Sequence, residues 1–258
     1  MASGVGSSVL VTGANRGIGL ELVTQLAEST NPPQLIFAGC REPERAKDLQ
    51  ELSQRHPQMV IIVPLDVSDA ASVSAACQMV STRLGDAGLN LLVNNAAVNR
   101  PIPGSLAQTG ADDMMEVYRT NVVGPMLLTK ELMPQLQRAA AQGSESGLSC
   151  RKAAIINIST LISSIEKCYE SFGMAPMYPY RTSKVALNML TRCLSEDLCK
   201  DGILVTAIHP GWVQTDMGGA QAPLPTKDSV RGMLGVMSSL TEQHRGTLLD
   251  WKGNSIPW

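Results

Sequence analysis

Tyr180 and Lys184 are the side chains of this 258-residue chain best suited to move a proton at a defined place. Of four tyrosines, only Tyr180 is followed by a lysine four positions later. On a helix that spacing puts both side chains on one face. The chemistry such a pair suits is proton donation to a carbonyl oxygen while a hydride arrives at the carbon. A free phenol, with a pKa of about 10, is a poor partner for that at neutral pH. An ammonium about 4 Å away at an effective dielectric of 20 is worth roughly 4 kcal/mol, near three pKa units at most, so the expectation is a tyrosine titrating closer to neutrality. Taken alone, the pair could be an ordinary helical contact.

A second cluster stands near the start of the chain, in Thr12-Gly13-Ala14-Asn15-Arg16-Gly17-Ile18-Gly19. Gly13 permits a tight turn, Gly17 lets backbone approach a pyrophosphate, and Gly19 allows close helix–sheet packing. The turn follows a strand-like run and opens a helical one, which is the context of a dinucleotide site with its phosphates at the helix N-terminus. The alternative is a plain tight turn.

These motifs, with Asp66-Val67, Asn94-Asn95-Ala96-Ala97, Tyr180-x3-Lys184 and His209-Pro210-Gly211 in the same chain order, resemble the short-chain dehydrogenase/reductase family over nearly the whole chain. The Arg41-Glu-Pro-Glu-Arg45 run, Tyr180-Arg-Thr-Ser-Lys184 and the ending Ile256-Pro-Trp258 look like its sniffer/C-factor-like carbonyl reductase branch. The resemblance implies that Asp66 hydrogen-bonds the adenine amino group beside the Val67 backbone. It implies that Asn94 fixes the central sheet and that Ala96 lines the cofactor cleft. Ala97 stands where the family usually has glycine. The bare residue reading of Asp66 is a helix-capping carboxylate. Asn121 matches the family's helix asparagine, whose backbone carbonyl holds a water in a relay through Lys184, although its sequence context alone reads as a helix start. Pro210-Gly211 through Val213 and Thr215 resemble the nicotinamide-binding loop, and Lys184 would also hold the ribose hydroxyls.

A third hydroxyl is expected at Asn157-Ile158-Ser159-Thr160. The family motif matches Thr160, which supplies the same donor as a serine with stiffer rotamers. Alternation puts Ser159 and Thr160 on opposite faces, so one of the two takes the role, with Thr160 favoured. NAD sites place an acid near the end of the second strand to meet the ribose 2′-OH. Here Cys40 stands there, followed by Arg41, and Arg16 lies in the Gly-rich turn. Two guanidinium groups suit a 2′-phosphate, so NADP(H) is expected over NAD(H). Glu42 could pair with Arg41 or oppose the phosphate.

Short apolar runs must hold these residues in place. Candidate strands are Ser8–Thr12, Gln34–Cys40, Met59–Val63, Leu89–Val93, Ala153–Ile158, Leu204–Ile208 and Gly246–Asp250. Helical patterns run from about Ile18 to Glu28, Pro43 to Arg55, a Ser68 or Asp69 cap to Leu84, Thr120 to Ala140, Tyr180 to Cys199 and Thr226 to Leu240. Gln142 to Gly147 reads as a surface loop. Alternation of this kind predicts a Rossmann-type, doubly wound parallel sheet of about seven strands with helices on both faces, one α/β domain over 1–258. The long connection from Ser159 to Met177 offers Tyr169, Phe172, Met174 and Met177 as apolar walls, Trp212 and Met217 could extend them, and Gly218-Gly219 could hinge a lid.

A net charge of -2 with 17% charged residues points to no nucleic acid, and no apolar run reaches the roughly 18 residues of a membrane span. No signal segment fits before the first turn, so a cytoplasmic chain is expected. Six cysteines and three histidines, scattered without ligand spacing, predict free thiols and no metal site. The expected activity is NADPH-dependent reduction of an aldehyde, ketone or quinone. The alternatives are NAD(P)-dependent oxidation of a steroid or lipid-like alcohol, or a non-catalytic dinucleotide-binding regulatory role. The Asn121–Ala140 and Tyr180–Cys199 helices resemble those of the family's dimer interface, which allows a homodimer or homotetramer.

Overall fold

The computed structural model describes residues 4–102, 104–143 and 146–258. The apolar runs become seven strands: β1 (Ser8–Thr12), β2 (Leu35–Cys40), β3 (Val60–Pro64), β4 (Leu91–Asn94), β5 (Ala154–Ile158), β6 (Leu204–His209) and β7 (Leu248–Asp250). All pair in parallel, in the order β3-β2-β1-β4-β5-β6-β7. Parallel neighbours need crossovers. Most of these come from α1 (Gly17–Ala27), α2 (Lys47–Arg55), α3 (Ala70–Leu84), α4 (Ala111–Tyr118), α5 (Gly124–Gln142), the single turn α6 (Cys168–Ser171), α7 (Tyr178–Leu198) and α8 (Thr226–Ser239). This is the expected doubly wound α/β fold.

Strand alternation divides the core into two layers. Val9 and Val11 of β1 share one cluster with Leu22 and Leu26 of α1 and Met233 of α8. Leu10, between them, belongs to the opposite cluster with Val80 of α3 and Leu128 and Leu132 of α5. Full burial of each such side chain contributes about 1.5–3 kcal/mol relative to exposure. From β1 the chain steps outward through β2 and β3, then returns to place β4 on the other side of β1. Loops that leave the strands at such a reversal diverge, and a crevice opens at the carboxyl ends of the strands.

Two local expectations change and one open alternative is resolved. The helix expected from about Thr120 begins at Ala111, where Asp112 and Asp113 fill the first turn and the Asp113 carboxylate accepts the Gly110 N–H at 2.7 Å. A π-turn over Arg119–Val123 then joins α4 to α5. The helix expected from Pro43 splits into a 3-10 turn (Pro43–Arg45) and α2, because Ala46 leaves helical backbone at φ −88°, ψ 65°. Asp69 rather than Ser68 caps α3, accepting from the N–H groups of Ala71 and Ser72. Of the loop expected over 142–147, residues 144 and 145 lie outside the described residues. Among the described residues no helix is long and apolar enough to cross a membrane.

Candidate active site

The expected site residues gather at the carboxyl ends of the strands, and most of them line one cleft of about 1310 Å³. Its nucleotide half starts at the Gly-rich turn. Gly13 and Gly17 stand at φ +65° and +55°, the left-handed region where a side chain is strained. A Cβ on Gly19 would lie 2.1 Å from the Gly13 carbonyl oxygen, so only glycine lets α1 start directly beneath the turn. Asn15, Arg16, Gly17 and Ile18 face the cleft, where the first N–H groups of α1 have no intrahelical partners and can meet an anion.

The contacts that hold this turn were not visible in the motif. Thr12 Oγ1 accepts the N–H groups of Asn95 at 3.0 Å and Ala96 at 2.9 Å. Asn95 Nδ2 donates to the carbonyls of Thr12 at 2.8 Å and Gly13 at 3.3 Å. Together they lock the loop after β4, with Ala96 in the cleft wall, onto the turn. Asn94 points the other way: its Nδ2 donates to Asn157 Oδ1 at 2.8 Å, and Asn157 Nδ2 to Thr191 Oγ1 on α7 at 2.8 Å. Asn94 and Gly19 therefore support the cleft from behind and do not line it. Alternation between adjacent asparagines at a strand end is the signal that separates their roles.

Beyond the Gly-rich turn, β2 closes on buried Cys40 and Arg41 lies exposed at the cleft edge. Glu42 pairs with Arg45 at 2.6 Å rather than with Arg41. Arg16 pairs with Asp216 across the cleft mouth. Both ion pairs are solvent-exposed, hence weak and exchangeable. Asp66 Oδ1 accepts the Ser68 N–H at 2.9 Å and hydroxyl at 2.7 Å, a local turn, and with Asp69 the cap of α3 the helix-cap reading of Asp66 falls away. Asp66 and Val67 line the cleft.

In the other half of the cleft, α7 presents half-buried Tyr180 and buried Lys184. Lys184 Nζ donates to the Ile158 carbonyl at 2.7 Å and sits 5.7 Å from the centroid of the Tyr180 ring. The expected lowering of the tyrosine is not what the structure produces. Burial pushes Tyr180 up to about 12 and Lys184 down to about 7, because desolvation penalises both charged forms and the lysine spends its hydrogen bond on a neutral carbonyl. Tyr180 stays a phenol across the neutral range.

Ser159 and Thr160 diverge as alternation requires. Ser159 donates to Asn188 Oδ1 at 2.6 Å, and Asn188 Nδ2 donates to Ser163 Oγ at 2.8 Å. That network consumes the Ser159 proton. Thr160 Oγ1 accepts the Ile162 N–H at 3.4 Å and keeps its own O–H. Asn121 lies in the π-turn, well inside the helix and not at its start. Its Oδ1 accepts the Val98 N–H at 2.9 Å, and its Nδ2 donates to Val98 O at 2.9 Å and Ser183 Oγ at 3.0 Å. It thus ties the loop after β4 to α7, behind the cleft. π-turns recur at functional sites.

After β6, Ser229 Oγ donates to Pro210 O at 2.6 Å, and Gly211 stands at φ +90° with no room for a Cβ beside Leu224. Val213 bridges to Leu224, and Thr215 Oγ1 accepts the Gly218 N–H at 3.1 Å. His209, which the sequence marked only as part of the His209-Pro210-Gly211 motif and without a role, also faces the cleft, and burial pushes it down to about 4. Met174, Met177, Trp212, Met217 and the Gly218-Gly219 pair also line the cleft. Tyr169 does not, being 82% exposed, and Phe172 packs edge-on against Tyr178 instead.

The family model described as short chain dehydrogenase matches residues 7–223. A carbonyl reductase from chicken fatty liver, solved with NADPH bound, superposes with a TM-score of 0.93 at 47% identity, covering 98% of this chain and 99% of that one. Carbonyl reductase Sniffer of D. melanogaster gives 0.91 at 35% identity, covering 98% and 100%. C-signal of Myxococcus xanthus is 36% identical over 170 residues, 66% of this chain and 93% of that protein. Fold, motif order and likeness agree, and the chain belongs to the short-chain dehydrogenase/reductase family of oxidoreductases.

Proposed function

We propose that this chain is an NADPH-dependent carbonyl reductase in which Tyr180 donates a proton to the oxygen of an aldehyde, ketone or quinone. The observation that carries the reading is that one cleft holds Tyr180, Lys184 and the uncommitted Thr160 hydroxyl together with the Gly-rich turn. The dinucleotide fits the residues present. The left-handed Gly13 and Gly17 and the start of α1 suit its phosphates, Asp66 and Val67 its adenine, and Pro210 through Thr215 its carboxamide end. Arg41, with no acid at the end of β2 and no carboxylate in ion-pair contact with it among the described residues, suits a 2′-phosphate, and Arg16 can join it by leaving Asp216. The relative solved with NADPH supports the same choice. When bound there, the nicotinamide supplies the hydride.

Thr160 and Tyr180 would bind the carbonyl oxygen, Thr160 polarising it and Tyr180 protonating it as negative charge develops. Lys184 would hold ribose hydroxyls once released from Ile158, and a cation brought beside the phenol would ease its loss of a proton. Asn121 and Asn95 hold the loops in register. Alcohol oxidation would use the same residues in reverse, and the preference for NADPH is what favours reduction. The test is NADPH oxidation over a panel of aldehydes, ketones and quinones, with wild type and Tyr180→Phe. Turnover in the wild type that falls by about a hundredfold or more in the variant, with NADPH binding retained, is expected. A variant as active as wild type, or NADPH binding without turnover on any carbonyl, would refute it.

A further inference from the structure

Arg181 follows Tyr180 in α7, is only 6% exposed, and is not part of the cleft lining. Its partners are all neutral. Nε donates to Ala175 O at 2.7 Å, Nη1 to Ile162 O at 3.0 Å and Nη2 to Ser171 Oγ at 3.0 Å. Cys168 Sγ lies 3.9 Å from Nη1, and the guanidinium stands 5.7 Å from the centroid of the Phe172 ring. Every one of these partners belongs to the segment between β5 and α7. That segment puts Leu161, Ile162, Met174 and Ala175 into the cleft wall, yet its regular structure is one 3-10 turn and the four-residue α6. At its far end Met177 stands at φ +35°, a conformation that persists in a non-glycine only where the surroundings impose it. Tyr178 N–H, donating to Gly104 O at 3.0 Å, and Asn99 Nδ2, 3.4 Å from Met177 Sδ, do so from one side. Arg181 holds the chain two residues earlier, at Ala175 O.

A buried cation needs compensation, and a planar fork is the side chain that can satisfy three divergent acceptors at once. We propose that Arg181 is a positioning residue that clasps the 161–176 segment to the catalytic helix and so sets which carbonyl compounds reach Tyr180. This rests on the carbonyl-reductase reading above. Arg181 touches neither the reacting atoms nor the nucleotide half of the cleft, so its removal acts on substrate fit before chemistry.

The experiment compares full-length wild type, Arg181→Lys and Ser171→Ala, the last a milder cut in the same clasp. Each is assayed by hydrogen exchange and by steady-state kinetics on a bulky aromatic ketone and a short aliphatic aldehyde. In Arg181→Lys, exchange is expected to rise in 161–176 and not in the Gly-rich turn. KM for the bulky ketone rises about tenfold or more, kcat falls by less, and the preference between the two substrates collapses. Ser171→Ala moves every readout the same way by less. Unchanged exchange in the segment, or a fall in kcat with KM unchanged for both substrates, overturns the clasp. Wild type without turnover on any carbonyl overturns the reductase reading itself, a result distinct from active variants whose segment stays protected.

Discussion

Lys184 is a charge that the fold holds at a cost, and that cost has a readable pH dependence. It is 2% exposed, its hydrogen bond goes to a neutral carbonyl, and burial lowers it from the ordinary 10.5 to about 7. Between those values the unfolded chain keeps a proton that the folded chain has released, so stability rises with pH. Integrated from about pH 7 to about pH 8.5, the gain is about 1.5 kcal/mol, or between about 1 and 2 if the folded value is moved one unit either way. The window closes above because Cys40, Cys77 and Cys150, and then Tyr180, are shifted upward by burial. Their unfolded forms ionise first, from about pH 9 for the thiols and about pH 10 for the phenol, and stability is then lost as pH rises. Lys184→Met removes the charge and keeps an unbranched stem. Urea unfolding of the protein alone at the two pH values, followed by tryptophan fluorescence, should show wild type gaining about 1.5 kcal/mol relative to the variant, the contribution of the thiols being common to both. Equal pH dependence in both proteins would refute the reasoning.

Thr160→Val is expected to cut kcat by about a hundredfold with little change in the urea midpoint, whereas Ser159→Ala strips a partner from buried Asn188 and costs about 1–3 kcal/mol of stability with the smaller kinetic effect. The reverse ranking in kcat would exchange their roles. Arg41→Glu should weaken NADPH binding by about a hundredfold and NADH by far less, because a carboxylate repels a phosphate and accepts from a ribose hydroxyl. A Kd ratio unmoved in fluorescence titrations would sink the assignment. Gly19→Ala would put a methyl within 2.1 Å of the Gly13 carbonyl and 2.6 Å of Asn95 Nδ2. It should cost about 3 kcal/mol or more and abolish dinucleotide binding. A variant that melts and binds like wild type would show that the turn can move.

Periodicity carried far because a doubly wound sheet is built from local patterns. Apolar strands, helical stripes and the glycines between them are written within a few residues of one another, so the doubly wound parallel sheet, the Gly-rich turn ahead of α1 and the Tyr180–Lys184 face followed from them, while the strand order came from the structure. Boundaries slipped where a local signal was weak. α4 opens on Gly110 and two acids, with little apolar stripe to announce it, and Ala46 breaks a helix that its neighbours would continue.

What the sequence by itself determined is the chemistry on offer: a phosphate-ready turn, a phenol with a lysine one turn on, a hydroxyl at the end of β5, and no acid at the end of β2. Only the tertiary structure decided the states and partners of those groups. Proton affinities depend on what surrounds a side chain in space, and burial moved Tyr180 and Lys184 in directions that the spacing alone did not reveal. The commitment of Ser159 to Asn188, the hold of Asn95 and Thr12 on the Gly-rich turn, and the clasp of Arg181 on the loop ahead of it are contacts made by folding. Some span ten or so residues and others more than eighty, and no local pattern records them, because hydrogen bonds are chosen by proximity in the folded chain.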